Sequence, residues 1–193
     1  MRDAVDATGR KIEGFEEDEA GWRGYLSTLK CLRRRGVLYD ERLLCTAAAR
    51  NGDLEELKSF RSENVPWDEW TCAWAAERGH LEILKWAREN GAWWDEGTCT
   101  GAAMGGHLHV LKWARENDCT WDEETCTYAA EGGHLEVLKW ARENGCPWDA
   151  YTCKYAAEGG HLETLKWARE NGAPWNKYTR RLAASKGYVE SKG

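Results

Sequence analysis

The apolar residues of this chain fall in a helical rhythm that restarts every 27 residues. Over 80–90, Leu81, Leu84 and Ala87 take one side of a helix, and Ile83 and Trp86 take a second. Glu82, Lys85 and Glu89 form a charged stripe between them. A helix that is apolar on more than one side is sandwiched between neighbours. Upstream, Pro66-Trp67-Asp68 reads as a helix entry, with Asp68 as an N-cap accepting from the free amides of the first turn. A helix of about nine residues follows and stops at Gly79, a residue suited to the left-handed end of a helix. The second helix starts near His80, runs to Asn90 and ends at Gly91. No alternating strand pattern interrupts either segment.

The same pattern recurs along the chain. Trp-Ala-Arg-Glu-Asn begins at Trp86, Trp113, Trp140 and Trp167, and Gly-His-Leu recurs with His80, His107, His134 and His161. Four full units therefore span 66–92, 93–119, 120–146 and 147–173. A divergent unit, 39–65, precedes them, with Cys45, Ala48, Ala49, Gly52, Leu54 and Leu57 in the matching places. A half-unit, 25–38, comes first, and 174–193 is a truncated unit that stops before a second helix. Residues 1–24, which include Glu16-Glu17-Asp18-Glu19, read as a flexible acidic segment ahead of a repeat domain over 25–193. A single helix pair cannot bury its own apolar faces, so the units must stack. The expected fold is an all-α solenoid of five to six units, curved, with the first helices on the concave side.

The motif Ala75-Ala76-Glu77-Arg78-Gly79-His80-Leu81-Glu82-Ile83-Leu84-Lys85, closing at Gly91-Ala92, resembles the ankyrin repeat. Ala156-Ala157-Glu158-Gly159-Gly160-His161-Leu162-Glu163 and Gly172-Ala173 repeat it, and the resemblance covers 25–193. Ankyrin repeats have about 33 residues. The shortfall here lies between Gly91 and Trp94-Asp95-Glu96, where the family carries its β-turn finger, and Trp70-Thr71-Cys72-Ala73 replaces the Thr-Pro-Leu-His opening. The chain is most similar to a short ankyrin-like variant frequent in protists and large DNA viruses. The resemblance implies a binding scaffold with truncated fingers, in which the helices carry the site.

Composition narrows the partner. Of 193 residues 42% are hydrophobic and 31% charged, with a net charge of −6, so a soluble chain with a core is expected. Nucleic acid is not an expected partner, because phosphate binding needs a basic patch. The run Arg33-Arg34-Arg35 is shorter than functional basic tracts, which are about 5–8 residues long. No membrane partner is expected, since no stretch approaches the roughly 20 apolar residues of a span. Met1 to Lys11 has no apolar signal region, which points to the cytoplasm, with the nucleus also open.

The chain has 8 Cys and 13 Trp. Cys72, Cys99, Cys126 and Cys153 stand where ankyrin helices bury a leucine and are expected to pack as small apolar residues. Cys119 and Cys146 fall in inter-unit loops and are expected to be partly exposed. A zinc ladder is the sharper alternative, but Cys-x-x-Cys pairs are missing. The four repeated histidines share one structural position, which suits a structural role. Trp86, Trp113, Trp140 and Trp167 form one ladder; Trp67, Trp94, Trp121, Trp148 and Trp175 form another, and packing is expected of both. No nucleophile–base set or phosphate-binding loop stands out. No catalytic residue, metal or cofactor is assigned, and the chain is not expected to be an enzyme.

The units differ chiefly on one face of the first helix. Positions i, i+3, i+4 and i+7 of the first helix change in almost every copy: Trp70, Ala73, Trp74 and Glu77, then Gly97, Thr100, Gly101 and Met104. They become Glu124, Thr127, Tyr128 and Glu131, then Tyr151, Lys154, Tyr155 and Glu158, and finally Tyr178, Arg181, Leu182 and Ser185. This spacing puts each set on one helix face. Stacking is expected to align the faces into an aromatic strip that binds a protein partner, with the chain itself a monomer. Two alternatives stay open. One is an adaptor that recruits machinery such as a ubiquitin ligase through residues 1–24; the other is a metal-binding protein.

Overall fold

The computed structural model describes residues 17–187, and among these it contains thirteen helices and no strand. The chain divides into two compact units, one reaching Trp94 and the next beginning at Asp95. In the first unit, α1 (Glu17–Trp22) and α2 (Leu26–Arg34), α3 (Arg42–Asn51) and α4 (Leu54–Ser62), and α5 (Glu69–Glu77) and α6 (Leu81–Glu89) form successive pairs. In the second, α7 (Glu96–Met104) and α8 (Leu108–Glu116), α9 (Glu123–Glu131) and α10 (Leu135–Glu143), and α11 (Ala150–Glu158) and α12 (Leu162–Glu170) do the same. A last helix, α13 (Lys177–Ser185), packs on α11. First helices stack on first helices, α1 on α3 on α5 and α7 on α9 on α11, while each also holds its own second helix. The chain is thus a helical repeat.

Sequence dictates this packing through residue size. Ala48-Ala49, Ala75-Ala76, Ala102-Ala103, Ala129-Ala130 and Ala156-Ala157 are all fully buried, so backbones of stacked first helices approach closely. Leu57, Leu84, Leu111, Leu138 and Leu165 fill each helix pair from the second helix and are likewise fully buried. Each such leucine contributes about 1.5–3 kcal/mol of burial.

Four expectations change in the structure. The first concerns the N-terminus. Glu17–Trp22 is a helix rather than part of a flexible tail, and it supplies the partner that the half-unit 25–38 lacks. Ala20, Gly21 and Gly24 stand where the next unit has Ala48, Ala49 and Gly52. Ala20 and Gly21 are buried, and a Cβ on Gly21 would meet Leu43 Cδ2 at 2.6 Å, so glycine sets the closeness of α1 to α3. The Asn51 amide donates to the Gly24 carbonyl at 2.8 Å. The acidic side chains of α1 fit its N-terminal end, where the helix dipole is positive. The rest of the proposed acidic segment, 1–16, lies outside the described residues.

The second is Asp68. Asp95, Asp122 and Asp149 cap their helices by accepting from Gly97, Glu124 and Tyr151 amides at 2.8–3.0 Å. Asp68 makes no such bond. Its Oδ2 lies 3.7 Å from Arg42 Nη1, and its Oδ1 is buried without a hydrogen-bond partner. Arg42 is a cation where later repeats carry Glu96, Glu123 or Ala150, and it draws the carboxylate off the helix end.

The third is Cys119 and Cys146, which are fully buried rather than partly exposed. They occupy the loop position of Val65, Ala92 and Ala173, also buried, just after the second helix. Each thiol donates to a main-chain carbonyl, Cys119 to Asp95 at 3.2 Å and Cys146 to Asp122 at 3.3 Å. A short loop closing onto the helix pair leaves no room for solvent there. Cys72, Cys99, Cys126 and Cys153 are fully buried, as their helix positions predict.

The fourth concerns residues assigned to the solvent-facing strip. Ala73 is 8% exposed, Thr127 6%, and Gly101 is buried. Ala73 and Thr127 take the i+3 position, at the seam between stacked first helices, where a small side chain is covered; Gly101, at i+4, has no side chain to reach solvent.

Candidate functional site

In the first unit, the changing face of α5 presents one open ring. Trp70 is 53% exposed. Trp74 is half-buried, with the Arg50 guanidinium 3.9 Å over its ring. Arg50 Nη1 lies 3.9 Å from Glu77 Oε1, and Arg78 Nη2 lies 3.6 Å from the same oxygen. Burial raises the Glu77 carboxyl above its ordinary range even with two guanidinium groups nearby, and burial likewise lowers the Arg50 guanidinium. Trp74 Nε1 is buried without a hydrogen-bond partner. Trp74 and Glu77 are therefore engaged within the fold, and Trp70 is the ring that faces outward. Trp22 on α1, 58% exposed, stands at the position of Arg50 and Glu77 and was not among the predicted residues. The signal for it was the Ala20-Gly21-x-x-Gly24 register.

In the second unit, α9 and α11 enclose a groove of about 340 Å³ lined by Glu123, Glu124, Thr127, Tyr128, Asp149, Tyr151 and Tyr155. Tyr151 is 56% exposed, and its ring lies 6.2 Å from that of Tyr155 at a tilt of 40°. Lys154 Nζ sits 5.4 Å from the Tyr151 ring centre, 4.8 Å from that of Tyr155 and 3.8 Å from Glu158. Burial, followed by the charges of Glu124 and Glu131, pushes the Tyr128 hydroxyl above its ordinary range. The structure thus brings Glu124, Thr127, Tyr128, Tyr151 and Tyr155 around one groove, with Lys154 over two of its rings.

The remaining predicted residues are more scattered. Thr100 is partly covered, and its hydroxyl lies 3.5 Å from that of Thr125. Met104 is 43% exposed and Glu131 half-buried. Tyr178 and Arg181 are exposed on α13.

Within each compact unit, the ladder tryptophans of the inter-repeat loops are paired with arginines. Arg61, Arg88, Arg115, Arg142 and Arg169 stack on Trp67, Trp94, Trp121, Trp148 and Trp175 at 4.1–4.2 Å. Each arginine also donates to the carbonyl four residues on, as Arg115 does to Cys119 and Arg142 to Cys146. Trp121 and Trp140 meet edge to face at 5.8 Å, and Trp148 and Trp167 at 6.0 Å. The recurrent spacing, arginine six residues before tryptophan, was visible in the sequence. These rings are committed to the fold.

The repeated histidines hold repeats together. His80 Nε2 lies 3.2 Å from the Arg50 carbonyl and His134 Nε2 lies 3.0 Å from that of Met104. Among the described residues, no group of three or more His, Cys, Asp and Glu side chains is placed to hold a metal ion, and no helix is long and apolar enough to cross a membrane. No protein-family model matches the sequence, and no curated protein matches it significantly.

Proposed function

We propose that this chain is an ankyrin-like repeat scaffold, without catalytic activity, that binds a protein partner on the face of its first helices. One contrast carries the reading. The second-helix tryptophans are half-buried, with Trp140 and Trp167 edge to face against loop tryptophans that arginines cover, whereas Trp70, Tyr151 and Tyr178 on the first helices are 53–59% exposed. Exposed aromatic residues gathered on one structural position favour recognition over idle surface, because such rings supply large contact area at low entropic cost. The positions that change between repeats are the same ones that carry these rings, as expected of a surface adapted to a partner rather than to packing. Eight free thiols suit a reducing compartment.

The test is affinity capture from a cell extract with wild-type chain, a Trp70→Ser/Tyr151→Ser/Tyr178→Ser variant and a Trp93→Ser control. Trp93 is 62% exposed but lies outside the first helices. The reading expects one recurrent protein whose recovery is lost with the triple variant and kept with the control, at unchanged helical circular dichroism. Recovery that survives the triple variant refutes the first-helix site.

A further inference from the structure

The chemistry of the α9–α11 groove says more about the occupant, on the premise that the first helices bind a protein. We infer that this groove takes arginine and lysine side chains from a basic segment of the partner. Its lining includes Glu123, Glu124 and Asp149 and no basic residue. Glu123 and Glu124 are exposed, and neither has a basic side chain within ion-pair distance among the described residues. Asp149 uses Oδ1 to accept from the Tyr151 amide at 2.8 Å, which fixes its carboxylate at the groove's edge.

Between these carboxylates stand the rings of Tyr128, Tyr151 and Tyr155. An aromatic face carries negative potential and attracts a cation held over it. The chain itself displays the interaction, since the Lys154 ammonium lies over both Tyr151 and Tyr155 while its charge leans toward Glu158. A cation arriving from a partner finds the same rings from the groove side, with Glu123 and Glu124 as unpaired counter-charges. An acidic or purely apolar segment would instead strip water from three carboxylates with no compensating charge. Arginine suits the site better than lysine, because its planar guanidinium stacks on rings while presenting donors to carboxylates.

The experiment is fluorescence anisotropy with fluorescein-labelled Gly-Ser peptides carrying four arginines, four lysines or four glutamates. The full chain is expected to bind the arginine peptide most tightly, the lysine peptide next, and the glutamate peptide not at all. Removing two exposed ion pairs with Glu123→Gln/Glu124→Gln is expected to weaken arginine-peptide binding about threefold to tenfold. Tyr151→Leu should weaken it as well. The control, Glu116→Gln/Glu143→Gln, removes the same charge from second helices and should leave binding unchanged.

Equal loss in the control variant, or no preference for basic over acidic peptide, overturns the inference. Such a result leaves partner capture through Trp70, Tyr151 and Tyr178 intact, so the two failures are distinguishable. Glutamine substitutions at exposed positions leave the packed core untouched, and a thermal melt of each variant verifies this.

Discussion

The His134 imidazole spans two repeats: its Nε2 lies 3.0 Å from the main-chain carbonyl of Met104. A carbonyl only accepts, so the ring must carry its proton on Nε2. The ring lies directly over Gly106, where an added Cβ would come within 2.5 Å of it, and over Gly132. His161 sits over Gly133 and His80 over Gly52 in the same way. The recurring Gly-His pair therefore joins one repeat to the next, the glycine making space for the ring that the following repeat supplies.

His134→Ala is expected to cost about 1–2 kcal/mol, the value of a lost hydrogen bond and its packing. Gly106→Ala should cost more, because its φ of +74° adds backbone strain of about 1–2 kcal/mol to the clash. Urea denaturation of the two variants checks the order; equal or negligible losses would show that the ring is a passenger.

The arginine–tryptophan stack gives a second prediction. Arg142 lies 4.1 Å over Trp148 and donates to the Cys146 carbonyl. Arg142→Leu should lower stability by about 1–3 kcal/mol, combining a cation–π contact and a hydrogen bond. Arg142→Lys should recover less than half of that loss, since the point charge cannot both stack and reach the carbonyl. Far-ultraviolet circular dichroism during denaturant unfolding reports both variants.

Asp68 offers a stabilising substitution. Burial is the main cause that lifts its carboxyl above the ordinary range, and the Arg42 charge only partly opposes it. A carboxyl raised on folding favours the neutral form, so its contribution is greatest at acid pH and falls as pH rises through its folded-state value. Asp68→Asn removes the buried charge and, no longer drawn to Arg42, supplies an amide oxygen able to make the cap that Asp68 lacks. It is expected to stabilise the fold by about 0.5–1 kcal/mol at pH 7, with the difference shrinking towards pH 3. A melting temperature at or below wild type at pH 7 contradicts this.

The thiols respond to alkali. Burial pushes the Cys45 thiol up to about 12 and the Cys153 thiol to about 11. Cys99 and Cys126 are raised as well, first by their hydrogen bonds with Cys119 and Cys146 and then by burial. The unfolded chain loses these protons at about 8.5, so the fold keeps protons that the unfolded state gives up. Stability is therefore full below about pH 8.5 and declines as pH climbs towards 11–12, through the folded values. Ellman's reagent at pH 8 should titrate Cys31 alone in the native chain, and all 8 cysteines after denaturation. Rapid native reaction at Cys119 or Cys146 would contradict their burial.

Much of this was legible in the residues themselves. The 27-residue period, the two helices of each unit, the glycine ends and the inward Cys and Ala positions all follow from spacings within a single helix or turn. Such local periodicity determines which residues share a face. What covers that face comes from residues a repeat away, and only the packed structure decided it. Trp74 lies under Arg50, Ala73 and Thr127 fall at the seam between stacked helices, and Asp68 is drawn to Arg42. Cys119 closes into the fold, and Glu17–Trp22 becomes a helix because Ala20 and Gly21 have α3 to pack against. Exposure is a property of neighbours brought together by stacking, and no spacing within one helix can specify it.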